Sequence, residues 1–280
     1  MNIDVLYTVV FGFIASIPLI LFKKASEERF SSWTYSFWWS ALAMLFIMPL
    51  AIRNFSIPST QLAILFLIFS ALSWTLTNMF TMFAFKYADA SVVFLVGRLS
   101  NVSIFLLGWL FLGDGINTPK LLGLLLTVVG SIAVSYQKGK LQFNKGILYS
   151  LLPVIFITTA FLFDKQATAY FSPFVFIFFQ QILEVIFSFF GIKNKNEIKE
   201  LFISKKQLII PAILCFVIGY GGFISLLGRN QLSVLPLTYE TTVFLGSMIL
   251  GVLYLKEKVQ LKQKLLGSAL AIIGIILLSF

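Results

Sequence analysis

The sequence predicts an all-α integral membrane protein: ten transmembrane helices built as two inverted five-helix repeats. Three observations predict it, namely the composition, a series of apolar runs of bilayer length, and self-similarity at a period near 143 residues. Hydrophobic residues make up 59% of the 280 and charged residues 11%, a balance beyond that of a soluble domain, whose apolar share is about half. A spanning helix takes about 20 mostly apolar residues, so ten of them use the whole length and leave no soluble domain. Backbone polar groups find no water in hydrocarbon, which restricts the spans to helices or barrel strands. Barrel strands alternate over roughly ten residues. The runs here are about twice as long and apolar on every face, so they read as helices.

The spans follow in order. Residues 4–22 begin with Asp4 as the first charge and are followed by Lys23 and Lys24, the flanks of a retained span and not of a cleaved leader. Span 33–52 contains "SFWWS", and 62–85 carries Ser70, Trp74, Asn78 and Thr81 on one stripe. Span 90–112 holds Arg98, with Ser91 and Asn101 at helical spacing, and 120–136 opens on "KLLG". Spans 146–165 and 173–191 follow, the latter with Gln180 and Glu184 one turn apart. In 207–228, Gly219-Tyr220-Gly221-Gly222 reads as a point where a helix opens or bends. Span 232–254 places Ser233, Pro236, Glu240 and Ser247 on one face, with Pro236 expected to free a carbonyl toward a cavity. Span 263–279 closes the series.

Charge sets the expected topology. Sixteen Lys and Arg fall in the loops after spans 1, 3, 5, 7 and 9, four fall after spans 2, 4, 6 and 8, and Arg98 lies within a span. The positive-inside rule makes the sixteen-charge face cytoplasmic, so both termini are expected outside, in a multi-pass protein of the plasma or inner membrane. The net charge of +10 is dispersed over loops and is not a nucleic-acid footprint. The chain has no His and a single Cys215, which removes the usual neutral-pH proton carrier and any disulfide framework or Cys-based metal cluster. No GxxxxGK[ST] loop is present. The expectation is a non-enzyme with no cofactor.

The two halves align in three blocks. "FKYADASVVFLVGRLSNVSIFLLGWLFLGD" (85–114) lies over "GRNQLSVLPLTYETTVFLGSMILGVLYLKE" (228–257), pairing Lys86 with Arg229, Gly108 with Gly251 and Asp114 with Glu257. "KLLGLLLTVVGSI" (120–132) lies over "KLLGSALAIIGII" (264–276), and "FKKASEERFSSW" (22–33) over "FDKQATAYFSPF" (163–174), pairing Lys24 with Lys165. The expected repeats are 1–142 and 143–280. Five helices is an odd number, so the second copy enters the membrane upside down. Inverted repeats around a midplane site are the construction of secondary transporters. The Gly108/Asp114/Gly123/Gly130 and Gly251/Glu257/Gly267/Gly274 sets resemble the EamA-type repeat of the drug/metabolite transporter superfamily, over essentially the whole chain. The resemblance implies ten helices and transport, often export, of amino acids, metabolites or drugs.

Ionisable groups inside a bilayer cost from about 2.5 kcal/mol upward and need a partner or a role. Arg98 lies over Thr241 at the repeat offset, one residue from Glu240. Each is about eight residues into its span, roughly 12 Å deep at 1.5 Å per residue, so both are expected near the midplane. Two readings stand: a guanidinium fork on a substrate carboxylate or phosphate with Glu240 taking an amine or proton, and a permanent Arg98–Glu240 bridge between the halves. The expected substrate-binding set is Arg98, Glu240, Asn101, Asn78, Trp74, Tyr239, Glu184, Gln180 and Tyr220. Gly123/Thr127/Gly130 and Gly267/Ala271/Gly274 suit close helix packing, and Asp114 and Glu257 read as solvated helix ends. The functional expectation is a secondary transporter exporting small polar metabolites such as amino acids by alternating access, with proton coupling and the lipid bilayer as its surroundings. The alternatives are an exchanger of phosphorylated or nucleotide-linked metabolites and a non-transport membrane scaffold.

Overall fold

A computed structural model of the chain describes residues 3–25, 30–53, 55–58, 60–87, 93, 96–135, 145–254, 261–278 and 280. Ten helices are described: α1 (Ile3–Ala25), α2 (Ser32–Arg53), α3 (Gln61–Tyr87), α4 (Leu99–Leu112), α5 (Thr118–Ser135), α6 (Lys145–Ala167), α7 (Pro173–Gly191), α8 (Asn196–Leu227), α9 (Leu235–Tyr254) and α10 (Leu261–Leu278). There is no strand among the described residues. By length and composition, α1, α2, α3, α6, α7 and α8 can each cross a membrane, while α4, α5 and α10 contain shorter apolar helices.

Two bounds differ from the sequence expectation. Helix α8 starts at Asn196, not 207, and runs for 32 residues. At 1.5 Å per residue it is about 48 Å long, well beyond a hydrocarbon core of about 30 Å. Its charged first turns form helix because tertiary contacts hold them: Trp38 Nε1 donates to Ile198 O at 2.7 Å, and the Trp38 and Phe202 rings stack at 4.4 Å. Glu197 Oε2 accepts from Ser31 N at 2.9 Å and Thr34 Oγ1 at 3.2 Å, at the N-terminal end of α2, where a carboxylate complements the helix dipole. Helix α4 begins at Leu99, with Arg98 at its cap position, in helical φ/ψ and directly after the helical residues Val96 and Gly97. Ser91 and Glu257 lie outside the described residues.

The pairing of helices carries the symmetry of the repeat. Helix α1 packs on α8 and α6 packs on α3; α1 packs on α9 and α6 on α4; α2 packs on α8 and α7 on α3. Each pair becomes the other when a helix is exchanged for the one five places on. Helices α2 and α7, α4 and α9, and α5 and α10 pair with their own counterparts. Small residues set the α5–α10 crossing. A Cβ on Gly130 would stand 2.5 Å from Gly267 O, and one on Gly274 2.7 Å from Gly123 O. This is the close backbone approach that small-residue stripes allow in membranes.

Gly219 and Gly222 do not open α8, which runs unbroken through them. A Cβ on Gly219 would stand 2.7 Å from Phe11 O, and Gly222 faces the Phe11 ring, so both seat α1. Pro236 also departs from its expected role. It lies in the first turn of α9, where the missing N–H would be unpaired in any case. Asp114 is buried rather than solvated. Its Oδ2 accepts Ser233 N at 2.7 Å just ahead of α9, and the chain reaches it through Gly113, whose φ of 68° closes α4.

Candidate functional site

The bundle buries two polar centres, joined by a wall of rings. The first is built on Asp164, near the end of α6 and fully buried. Its Oδ1 accepts Ser70 Oγ at 2.5 Å and Gln180 Nε2 at 3.2 Å; its Oδ2 accepts Tyr220 OH at 2.8 Å and Trp74 Nε1 at 3.0 Å. A carboxylate has about four lone-pair sites, and here all four are filled by neutral donors from α3, α7 and α8. Ser70 and Trp74 are one turn apart on α3, so both reach the same partner.

A polar seam continues along α7 from this centre. Glu184 Oε2 accepts Ser40 Oγ at 3.1 Å, and its Oε1 accepts Gln181 Nε2 at 3.0 Å. One turn further, Ser188 and Ser36 hydroxyls meet at 2.9 Å. The seam lies between α2 and α7, helices that pair with their own repeat counterparts. Gln181 Oε1 is buried without a hydrogen-bond partner among the described residues.

The second centre lies between α4 and α9. Arg98 Nη1 donates to the main-chain oxygen of Glu240 at 3.4 Å, and its guanidinium lies 4.7 Å from the Phe244 ring centroid, within cation–π range. Asn101 Nδ2 donates to Thr241 Oγ1 at 3.4 Å, while Asn101 Oδ1 is buried without a partner among the described residues. A buried amide carbonyl left unpaired costs about 1–3 kcal/mol, and such an exception calls for an explanation.

Aromatic rings connect the centres. Tyr239, beside Glu240, stacks on Phe223 at 4.3 Å; Phe223 meets Phe161 edge-on at 5.7 Å; Phe161 meets Trp74 at 5.3 Å; and Trp74 bonds Asp164. Tyr220 stands edge-on to Trp74 at 5.8 Å.

Of the nine residues expected from the sequence, Trp74, Gln180 and Tyr220 converge on Asp164, and Glu184 sits next along the seam. Arg98, Glu240, Asn101 and Tyr239 gather around α4 and α9. Asn78 is half-buried on α3 and makes no side-chain hydrogen bond among the described residues. Asp164 itself, Ser40 and Gln181 were not foreseen. The signal for Asp164 was present in its partners: Ser70, Trp74 and Gln180 are polar groups in apolar runs, and each needed a buried acceptor. Among the described residues no His, Cys, Asp and Glu cluster suited to a metal occurs.

The EamA-like transporter family model matches residues 2–136 and again 144–280. The chain belongs to the EamA-like transporter family. The two matches fall on successive halves, and members of the family are multi-pass membrane transporters of the drug/metabolite superfamily. A solved chain described as "Crystal structure of protein" is similar to this EamA-like chain, with a TM-score of 0.71 and 14% identity over 98% of each chain. At that identity the likeness shows the fold alone. No curated protein matches the sequence.

Proposed function

We propose that this EamA-like protein carries small polar metabolites across the plasma or inner membrane by alternating access, with amino-acid zwitterions as the favoured class. The substrate chamber in this reading lies along the ring wall of Tyr239, Phe223, Phe161 and Trp74, between Arg98 and Asp164. The observation that supports it most is the placement of a buried guanidinium and an unpaired amide oxygen at one end of that wall and a buried carboxylate at the other. Arg98 offers a fork to a carboxylate. Asn101 Oδ1 and Glu240 offer acceptors to an ammonium, and the Asp164 carboxylate adds its field from the far end. The aromatic faces between them suit a small side chain or a cation.

Alternating access draws support from the helix pairing described above, in which each contact of one repeat has its equivalent in the other. Two packings related by that exchange would be close in energy, as a carrier requires. Proton coupling is assigned in this reading to two buried carboxylates, Glu184 on α7 and Asp164 on α6, which accept hydrogen bonds from neutral donors only among the described residues.

The test is counterflow in sealed vesicles. Vesicles loaded with unlabelled amino acids should accumulate labelled amino acid transiently, and Arg98→Ala should remove that accumulation at unchanged protein content. Undiminished counterflow in the Arg98→Ala protein would exclude Arg98 from the chamber. Counterflow by no amino acid would exclude the substrate class.

A further inference from the structure

Outside Arg98, four basic residues belong to the end of the bundle that carries both termini: Arg53, Lys120, Lys165 and Arg229, against sixteen on the loops of the other end. Three of the four, Lys120, Lys165 and Arg229, line one cavity of about 710 Å³, together with Asp114, Asn230 and Gln231. The charge rule for topology needs that face only to be poor in cations. It does not require the few that remain to converge.

The donors and acceptors of this cavity do not balance. Lys165 Nζ spends its three N–H groups on the carbonyls of Leu227, Gly228 and Asn230, at 2.9, 2.8 and 2.7 Å, closing the C-terminal end of α8. Lys120, only 8% exposed, donates to Gly115 O at 2.9 Å and Gln231 Oε1 at 2.5 Å. Its third N–H has no partner among the described residues. The Arg229 side chain makes no hydrogen bond among the described residues. Asp114 is the one side-chain carboxylate on the lining, and its Oδ2 is already engaged by Ser233 N; the Asp4 carboxylate adjoins it, accepting Asn230 Nδ2 at 2.8 Å. Three cations thus face the carboxylates of Asp114 and the adjoining Asp4, with unspent donors on Lys120 and Arg229. The volume lies in the range of small-molecule sites, about 300–1,000 Å³.

We propose that this cavity is an oxyanion site, in which Arg229 and Lys120 grip the carboxylate or phosphate of a small molecule and Lys165 adds its field. It is a site apart from the Arg98 chamber and stands whether or not the chamber carries amino acids. The sequence repeat gives each cation a basic mate: Lys264 for Lys120, Lys24 for Lys165 and Lys86 for Arg229. The duplication thus keeps three positive charges in equivalent places of both repeats.

Inorganic phosphate is the probe, titrated calorimetrically into the purified full-length protein at constant ionic strength. Wild type should bind phosphate. Arg229→Gln should weaken binding about tenfold, the scale of one charge-assisted hydrogen bond, and Lys120→Gln should weaken it similarly. Arg53→Gln, on the same face but outside the cavity, and Arg98→Ala, in the chamber, should leave affinity unchanged. The titration is run in lipid-free detergent, then in nanodiscs of phosphatidylcholine with or without phosphatidylglycerol. Affinity independent of phosphatidylglycerol marks a soluble oxyanion as the occupant, and competition by that lipid in wild type marks its headgroup. No phosphate binding by wild type, equal affinity in the Arg229→Gln and Arg53→Gln proteins, or loss of binding in Arg98→Ala alone would overturn the proposal.

Discussion

Replacing Asp164 with Ala removes the acceptor for four hydrogen bonds reaching from three helices. Interhelical hydrogen bonds in membrane proteins contribute roughly 0.6–1.7 kcal/mol each, so the change should cost roughly 2–7 kcal/mol. The geometry sharpens this figure into a coupling. Ser70 Oγ and Gln180 Nε2 still meet at 2.6 Å, and Tyr220 OH still has Gln180 at 3.4 Å. The Trp74 indole has only one donor and cannot accept, so it is left buried and unpaired at a cost of about 1–3 kcal/mol. Trp74→Phe should therefore cost about 1 kcal/mol in wild type but be neutral or favourable in the Asp164→Ala background. A double-mutant cycle, read from unfolding in mixed micelles of rising dodecyl sulfate content, should return a coupling of about 2 kcal/mol. Equal costs of Trp74→Phe in both backgrounds would refute the assignment of Asp164 as the hub.

Three further perturbations are expected to separate packing from transport. Gly130→Val should drive α5 and α10 apart, since even a Cβ there would stand 2.5 Å from Gly267 O; overpacking of this kind costs about 1–3 kcal/mol, visible as a lower melting temperature in detergent. Glu197→Ala removes the acceptor for Ser31 N and Thr34 Oγ1 and should cost about 1 kcal/mol, the size of a lost helix cap, with vesicle counterflow retained. Glu184→Gln keeps a partner for Ser40 but cannot release a proton, so exchange of labelled substrate should persist while accumulation driven by a pH gradient is lost.

Much of the bundle was legible because membrane helices are written in composition. Long apolar runs forecast α1, α2, α3, α6 and α7 within a few residues. The glycine stripes of α5 and α10 forecast close packing, since small residues permit such an approach, and in the fold the two stripes meet each other. The repeat offset brought Arg98 to within one residue of Glu240, and the two are neighbours in space. What the sequence concealed depended on tertiary partners. Asp164 adjoins Lys165 at the end of an apolar run and so resembled an ordinary helix terminus; its burial comes from four donors on three other helices. The charged start of α8 read as a loop, because nothing local indicates that Trp38 and Phe202 would stack against each other. Pro236 reads as freeing a carbonyl and the Gly219–Gly222 run as a weak point, although one lies in the opening turn of a helix and the other seats α1.

The two copies are held here to enter the membrane in opposite senses. Lys24→Cys and Tyr170→Cys, each in a Cys215→Ala protein, place thiols at exposed residues in the last turn of α1 and just after α6, the first helices of the two repeats. An impermeant maleimide applied to intact cells should label the residue 170 thiol and not the residue 24 thiol, with both labelled after permeabilisation. Labelling of both in intact cells, or of neither before permeabilisation, would set the halves in parallel and contradict the account.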